Sequence, residues 1–306
     1  MATMSGESLD VSQARPFGRI LTAMVTPMRP DGSLDAEGAA RLASHLVDSG
    51  SDGVVVSGTT GESPTTTDAE KDQLLRVVLD AVGDRALVVA GVGTNDTAHS
   101  VELAVRAQRA GAHGLLLVTP YYNKPPQAGV RAHFRSVADA SDLPVMLYDI
   151  PGRTGVAISS ESLVSLAEHP RIVAVKDAKG NLEASAWVMS RTDLAYYSGD
   201  DSMTLPLLAV GGVGVVSVCA HLVGERIAAM VSAYESGDVV AASGLHRDLL
   251  PVFIGIFRTQ GVILTKAALT LQGLPAGPVR PPLVGATEAE VRQLREDLSA
   301  GGVPAS

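Results

Sequence analysis

Short apolar segments recur along the chain at nearly regular intervals, and most of them are rich in β-branched residues. Near-continuous hydrophobicity, rather than strict alternation of apolar and polar residues, is typical of parallel strands that are covered on both faces. Eight segments fit this description: residues 20–27, 53–60, 86–93, 114–120, 144–151, 172–178, 194–200 and 212–218. We therefore predict eight buried strands.

Amphipathic segments separate these strands. Leu42, Leu46 and Val47, for example, recur at the spacing that places them on one face of a helix. Asp35 and Asp68 are the expected N-caps of two such helices, because a short side chain with an acceptor oxygen satisfies free N–H groups of a first turn. A helix is thus predicted between most pairs of strands.

Eight alternations of strand and helix indicate a (β/α)8 TIM barrel, with an open, doubly wound parallel sheet as the alternative. No glycine-rich dinucleotide fingerprint follows the first predicted strand, which disfavours the open sheet. Beyond the eighth strand the chain continues with further helical patterns. We predict a flexible leader at residues 1–15, a barrel at residues 16–238 and a C-terminal helical domain at residues 239–306.

Composition narrows the classes of function. The 306 residues are 46% hydrophobic and 19% charged, with a net charge of −9 and no long basic run, so nucleic acid is not an expected partner. Cys219 is the sole cysteine and no signal peptide is recognisable, which fits the cytoplasm. The uncharged stretch 205–224 has the length of a membrane span, but Gly211 and Gly212 predict a short helix followed by a buried strand. We expect no membrane partner.

Polar side chains concentrate where the predicted strands end. In barrels of this kind the active site lies where strands run into the following loops. The polar strand ends are SGTTGES (57–63), TPYYNKPP (119–126), YDIPGRTG (148–155), Lys176-Asp177 and SGDD (198–201). Hydroxyls, tyrosines, an arginine and a lysine are therefore expected to meet on one rim.

Lys176 is unusual because it follows four apolar residues in a strand that should be buried. Alternation places it in the lumen with Ile172 and Ala174. A free lysine has a pKa near 10.4, so only roughly one amine in 2,500 is neutral at about pH 7, but burial lowers the pKa. A neutral amine can form a Schiff base with a carbonyl compound. The alternative is a lysine that turns to solvent or pairs with Asp177.

Tyr148 strengthens the catalytic interpretation of Lys176. It ends the fifth predicted strand, which adjoins the sixth in a barrel, so its phenol is expected beside the amine. A phenol there is placed to carry protons while the carbinolamine forms and loses water. Thr59 or Thr60, at the end of the second strand, can pass those protons onward.

Five motifs, GTTGES, TPYYNKP, YDIPGRTG, VKDA and YYSGDD, follow one another in this order. Together they resemble the N-acetylneuraminate lyase/dihydrodipicolinate synthase family of Schiff-base pyruvate aldolases, from about residue 16 onward. The resemblance implies a lyase without a cofactor that condenses pyruvate with L-aspartate 4-semialdehyde in diaminopimelate and lysine biosynthesis. Two alternatives stay open: N-acetylneuraminate lyase or keto-deoxy-sugar acid aldolase activity, and a non-catalytic relative that binds pyruvate.

The resemblance also implies roles for individual residues and an assembly. The catalytic residues would be Lys176, which forms the imine, and a proton relay of Tyr148, Thr59 and Tyr122, the last from the adjacent subunit. The substrate-binding residues would be Thr60 for the pyruvate carboxylate, Arg153 for the carboxylate of the second substrate, and the backbone carbonyls of Gly199 and Val216. The expected assembly is a homotetramer, a dimer of two tight dimers.

A regulatory face that binds lysine in some family members is only partly matched. Ser63, Asn95 and Tyr121 fit it, whereas Asp68, Lys71 and His99 stand where lysine-sensitive bacterial members carry two histidines and a glutamate. An ammonium ligand would lose its carboxylate partner and meet Lys71 instead. We therefore expect weak or absent inhibition by lysine.

Other departures and a competing chemistry remain. Asp149 stands where the family commonly has asparagine and Gly152 where it often has serine, and we expect activity to survive both changes.

A metal-dependent aldolase would need clustered histidine and carboxylate ligands at strand ends. The seven histidines form no paired-ligand motif, so no metal site is predicted.

Overall fold

The computed structural model describes residues 15–304 and contains a closed barrel of eight parallel strands. Each strand pairs with the next along the chain, and β1 pairs with β8. The strands are β1 (Ile20–Ala23), β2 (Gly53–Val56), β3 (Leu87–Gly91), β4 (Gly114–Val118), β5 (Val145–Asp149), β6 (Ile172–Asp177), β7 (Ala195–Ser198) and β8 (Gly214–Ser217). Every predicted strand segment contains one of them, so the TIM barrel is confirmed. The predicted leader, apart from Arg15, lies outside the described residues.

Helices follow the strands and continue beyond β8. They are α1 (Ala36–Asp48), α2 (Asp68–Val82), α3 (Thr97–Ala110), α4 (Gln127–Asp139), α5 (Pro151–Thr154), α6 (Ser160–Leu166), α7 (Leu182–Met189), α8 (Thr204–Ala209), α9 (Ala220–Glu235), α10 (Val239–Gly255), α11 (Gly261–Leu271) and α12 (Glu288–Ala300). Single 3₁₀ turns lie at Ser63–Thr65 and Asp201–Met203. The predicted start of the C-terminal domain, residue 239, coincides with the first residue of α10.

Local sequence fixes where the helices begin. Asp35 caps α1 as predicted, since its carboxylate accepts a hydrogen bond from the backbone N–H of Gly38 at 3.0 Å. The prediction for Asp68 was wrong by one position, because Thr67 is the N-cap of α2 and forms a capping box with Glu70. Asp68 instead lies in the first turn, where the helix dipole favours a negative charge.

Two apolar clusters lie on the two sides of the barrel wall. The first fills the space between strands and outer helices, and the second fills the lumen and extends to the C-terminal helices. Ala174 belongs to the second cluster with Tyr148, as alternation predicts, but Ile172 packs in the first. The register between β5 and β6 shifts between Val145 and Met146, and such an irregularity breaks the alternation of faces. The prediction that Ile172 faces the lumen was therefore wrong.

The uncharged stretch 205–224 does not form one long helix. It comprises most of α8, a turn, β8 and the start of α9. Gly211 in the turn has a φ of 110°, a backbone conformation that residues with side chains rarely adopt. The predicted short helix followed by a buried strand is confirmed. Within residues 15–304, every helix is too short or too polar to span a membrane.

Candidate active site

Lys176 is the fifth residue of β6, and its side chain points into the barrel. It is 4% exposed. The strand register sets it opposite Tyr148 on β5 and Tyr197 on β7, and residues opposite each other point to the same face of a sheet. The Nζ atom of Lys176 lies 4.2 Å from the centre of the Tyr148 ring. The structure thus places an amine and a phenol side by side in the lumen.

The carboxylate of Asp177 is engaged elsewhere. It accepts hydrogen bonds from the hydroxyl of Ser185 and, at 2.9 Å, from the backbone N–H of Lys179. As the next residue along the strand, Asp177 points to the opposite face of the sheet from Lys176. The structure therefore does not support an ion pair between Lys176 and Asp177.

The lumen changes the acid-base behaviour of the lysine. Burial lowers the pKa of Lys176 to about 7, while the negative charge of Asp201 opposes the shift and the positive charge of Arg153 adds to it. Desolvation acts in this direction because it disfavours the charged ammonium form. With a pKa of about 7, roughly half of the amines are neutral at pH 7. Lys176 can therefore act as a nucleophile near neutral pH.

Asp201 is a buried residue of this region to which the sequence assigned no role. Its carboxylate accepts hydrogen bonds from the Ser217 hydroxyl and from the backbone N–H groups of Val218 and Cys219, the latter two at 3.1 and 3.2 Å. These bonds fix the carboxylate at the end of β8. Its charge acts on Lys176 from that position and keeps the pKa of the amine from falling further.

Tyr148 keeps its proton at neutral pH. Burial raises the pKa of Tyr148 to about 12, the charge of Arg153 lowers it and that of Asp200 raises it. The phenol can therefore donate a proton to an oxygen that leaves from a carbinolamine. After this donation the phenolate must be protonated again. The new proton has to come from a neighbouring hydroxyl group or from water.

A cavity of about 590 Å³ opens beside Tyr148 at the carboxyl ends of the strands. Its wall includes the predicted site residues Thr59, Ser63, Tyr121, Tyr122, Tyr148 and Arg153. It also includes Ser57 and Lys124, which belong to two of the predicted polar strand ends but have no individual predicted role. The Tyr148 ring, which is part of this wall, lies 4.2 Å from the Nζ atom of Lys176, so the amine lies close to the cavity.

Comparison with known proteins places this geometry in a family. The model of the dihydrodipicolinate synthetase family matches residues 16–301. The chain belongs to the dihydrodipicolinate synthetase family. It is 72% identical to the 4-hydroxy-tetrahydrodipicolinate synthase of Acidothermus cellulolyticus, with 94% of this chain and 93% of that protein covered. It is 66% identical to 4-hydroxy-tetrahydrodipicolinate synthase 2 of Streptomyces coelicolor, with 94% and 96% covered.

Solved structures of the family agree with this assignment. A crystal structure of the Cyanidioschyzon merolae enzyme with lysine bound superposes with a TM-score of 0.92 at 46% identity, covering 94% of this chain and 99% of that chain. The dihydrodipicolinate synthase of Aquifex aeolicus gives a TM-score of 0.92 at 35% identity, covering 95% and 100%. The barrel and the C-terminal helices are therefore common to the family.

The three predicted pyruvate-binding positions differ in their placement. A Cβ atom added at Gly199 would lie 3.2 Å from the Cε atom of Lys176 and 2.9 Å from the Cβ atom of Ala178, so the backbone passes very close to the amine. Val216 is buried in the lumen cluster. Thr60 lies half-buried in the turn after β2 and is not part of the cavity wall.

Tyr122 stands at the rim of the cavity and is 88% exposed. Its φ of 72° and the φ of 46° at Lys124 are left-handed, which is unusual for residues with side chains. Asn123, between them, donates a hydrogen bond from Nδ2 to the backbone oxygen of Asn95 at 2.9 Å. This loop is thus held in a shape that leaves most of the tyrosine side chain in solvent at the cavity rim.

The residues predicted for the regulatory face fall into two groups. Ser63 and Tyr121 line the cavity. Asp68 is already paired within its own chain: the Nε2 atom of His99 lies 3.0 Å and a nitrogen of Arg106 lies 3.5 Å from its carboxylate. Lys71 donates a hydrogen bond to the backbone oxygen of Thr66 at 2.6 Å, and burial lowers the pKa of this lysine.

The two departures from the family pattern have different surroundings. Asp149 is fully buried, and its Oδ2 atom lies 3.0 Å from the Nζ atom of Lys179. Its other oxygen accepts a hydrogen bond from the backbone N–H of Ile158 at 3.1 Å. A Cβ atom at Gly152 would meet nothing within 4 Å. In the part of the chain that the structure describes, no group of three or more His, Cys, Asp or Glu side chains is placed to hold a metal ion.

Proposed function

We propose that the protein condenses pyruvate with L-aspartate 4-semialdehyde to form 4-hydroxy-tetrahydrodipicolinate and water, for diaminopimelate and lysine biosynthesis. The observation that carries this proposal is the buried Lys176 amine, with its Nζ atom 4.2 Å from the centre of the Tyr148 ring. The curated relatives with this activity share 72% and 66% identity with the chain over nearly its whole length. The reaction is that of a Schiff-base lyase.

The chemistry begins at the amine. Neutral Lys176 adds to the keto carbon of pyruvate, and the resulting carbinolamine loses water to give an imine. The imine nitrogen draws electrons, so the methyl group of pyruvate loses a proton and becomes an enamine. Tyr148 supplies the proton that the departing oxygen needs, and Thr59 with Tyr122 passes protons between the site and solvent.

The second substrate enters from the cavity. The enamine carbon attacks the aldehyde of L-aspartate 4-semialdehyde, forming the carbon–carbon bond and leaving a hydroxyl group. The amino group of that substrate then displaces Lys176 from the imine, which closes the ring and restores the free lysine. Arg153, in the cavity wall, binds the carboxylate of the second substrate, because a guanidinium group pairs well with a carboxylate.

Covalent trapping tests the proposal. Borohydride is added to the protein with and without pyruvate, and the modified peptide is located by mass spectrometry. We expect a pyruvate-dependent adduct on Lys176, no adduct in Lys176→Ala, and turnover with aspartate semialdehyde but not with N-acetylmannosamine. Turnover of N-acetylmannosamine would indicate the sugar-cleaving activity of the family, and an adduct without any turnover would indicate a pyruvate-binding relative.

We also propose that the protein works in the cytoplasm as a homotetramer of two tight dimers, with Tyr122 of one subunit completing the site of its neighbour. The 88% exposure of Tyr122 at the cavity rim supports this. Mixing Lys176→Ala with Tyr122→Ala tests it, because a mixed dimer has one site with both Lys176 and a neighbour's Tyr122. Activity that returns on mixing is the expected result, and two variants that stay inactive would place Tyr122 in its own subunit's site.

A further inference from the structure

Buried charges tie the turn that carries Thr59 to the C-terminal part of the chain. On α11, the Nζ atom of Lys266 lies 2.6 Å from the Oε1 atom of Glu62, with side chains that are only 3% and 1% exposed. Glu62 belongs to the same turn after β2 as Thr59. A buried carboxylate needs its partners, because removing one leaves an uncompensated charge in a poorly solvated place.

The segment after α11 adds further contacts to this turn. The backbone N–H of Arg280 donates a hydrogen bond to the Oε2 atom of Glu62 at 2.7 Å. Its guanidinium group donates to the backbone oxygen of Thr65 at 2.7 Å and to the carboxylate of Glu70. Lys266 also donates to the backbone oxygen of Pro278 at 2.8 Å. The side chain of Glu62 is therefore held from two directions by residues far away in the sequence.

The backbone of Glu62 needs such support. Its φ is 56°, in the left-handed region, which is unfavourable for a residue with a side chain and persists where the surroundings hold it. Its N–H donates a hydrogen bond to the backbone oxygen of Thr59 at 3.1 Å. The conformation of Glu62 is thus coupled directly to the position of Thr59, which shares the cavity wall with Tyr148.

We propose that Glu62 and Lys266 are positioning residues for the reaction: their buried ion pair holds the turn in the shape that sets Thr59 in the cavity wall beside Tyr148. The inference rests on the proposed function, in which Thr59 relays protons. Glu62 and Lys266 do not touch the reacting atoms and act through Thr59. The C-terminal helices thereby take part in catalysis without contributing a group to the site.

A double-mutant cycle tests this coupling. The variants are Lys266→Met, Thr59→Val and the two combined, assayed for kcat, for the KM of pyruvate and for the rate of imine trapping by borohydride. We expect Lys266→Met to lower kcat roughly 10- to 100-fold, because small displacements of a catalytic group have effects of this size. The KM of pyruvate should change much less. In the Thr59→Val background, Lys266→Met should lower kcat by less than about twofold, because the residue it positions has lost its hydroxyl.

Arg258 provides the matched control. Arg258 lies between α10 and α11, and its guanidinium pairs at 2.6 Å with the buried Asp297 on α12, not with the turn after β2. Arg258→Met should lower stability and leave kcat within about twofold of the unmodified protein. The double variant Glu62→Gln with Lys266→Met removes both charges of the ion pair, so no unpaired charge stays buried. It replaces Lys266→Met in the test if that single variant fails to fold. The same kcat loss is expected in it.

The outcomes separate the two proposals. If Lys266→Met lowers kcat no more than Arg258→Met does, the positioning role is overturned. It is also overturned if Lys266→Met lowers kcat by the same factor in the Thr59→Val background as in the unmodified protein. A double variant that folds and retains full kcat overturns it as well. If the unmodified protein gives no pyruvate-dependent adduct on Lys176, the proposed function itself fails and the positioning role falls with it.

Discussion

Lys176 owes its lowered pKa first to burial, and nearby charges adjust it. Asp201 and Arg153 act in opposite directions on the amine. The strand places the lysine in the lumen, and the closed barrel excludes water from it. Burial in the barrel lumen therefore makes Lys176 a nucleophile near neutral pH.

The rate of imine formation with pyruvate alone should rise as pH increases through about 7, because only the neutral amine attacks and the pKa of Lys176 is about 7. Arg153 lowers that pKa, so Arg153→Met should move the midpoint of the profile to higher pH and slow imine formation at pH 7. Rapid-quench borohydride trapping over a pH series measures this. The second substrate is absent, so loss of its binding by Arg153 does not interfere.

Arg191→Met is the control for this profile. Arg191 stacks on the ring of Trp187, 4.0 Å from its centre, and is not among the charges that shift Lys176. Its removal should leave the midpoint where it is. An unchanged midpoint in Arg153→Met as well would show that burial alone sets the reactivity of the amine.

At the scale of elements, the strand pattern was predictable because each strand is covered on both faces and therefore reads as a continuous apolar run. The shift of register between β5 and β6, which turns Ile172 outward, was not predictable, because it depends on how two strands pair. The link between Glu62 and Arg280 was not predictable either, since 218 positions separate them. The motifs in the sequence contain most of the residues that line the cavity. They did not show that Asp201, rather than its neighbour Asp200, is the buried carboxylate whose charge acts on Lys176.

His221, at the start of α9, joins two strand ends. Its Nε2 atom accepts a hydrogen bond from the backbone N–H of Val25 at 3.1 Å, and its Nδ1 atom donates to the backbone oxygen of Val218 at 2.7 Å. Burial lowers the pKa of His221 to about 4, with the hydrogen bond to Val218 opposing the shift. The folded protein therefore keeps a neutral imidazole where an unfolded chain, with a pKa near 6.5, takes up a proton.

The stability contributed by the neutral imidazole is present above about pH 6.5 and is lost as pH falls towards 4, because the unfolded state binds more protons in this range. For one such group, the free energy of unfolding should fall by about 2 kcal/mol between pH 7 and pH 5. Urea unfolding at both pH values, at a fixed protein concentration, measures the change. His221→Gln should be less stable at pH 7 and should lose less stability on acidification. A variant with the same pH dependence as the unmodified protein would contradict this assignment.

For the whole molecule, the cavity opens at the rim that carries the exposed Tyr122. The polar residues Asp68, Lys71 and His99 are already paired within the chain, and Lys71 brings a positive charge to this region. At the regulatory face that the resemblance implies, we expect a lysine ligand to meet the ammonium group of Lys71 beside the carboxylate of Asp68, which is already paired. The related enzyme of Cyanidioschyzon merolae, whose crystal structure has lysine bound, provides the comparison.

Lysine should inhibit this protein weakly or not at all. Initial rates measured against lysine concentration, beside the Cyanidioschyzon merolae enzyme, test the prediction. The triple variant Asp68→His, Lys71→His and His99→Glu should gain sensitivity, because it removes the ammonium group of Lys71 and moves the carboxylate from position 68 to position 99, where the resemblance implies that lysine-sensitive members carry it. Half-inhibition of the unmodified protein at sub-millimolar lysine would refute the prediction.

The pairing of β1 with β8 has a consequence for solubility. A sheet that is closed on itself has no free edge, so no row of unpaired backbone groups is available to recruit a strand from another molecule. Such an edge arises when two neighbouring strands separate, for example at the seam between the first and last strands. Aggregation through strand addition therefore requires a partly unfolded chain, and protection of the β1–β8 amide protons from exchange with deuterium would report how often that happens.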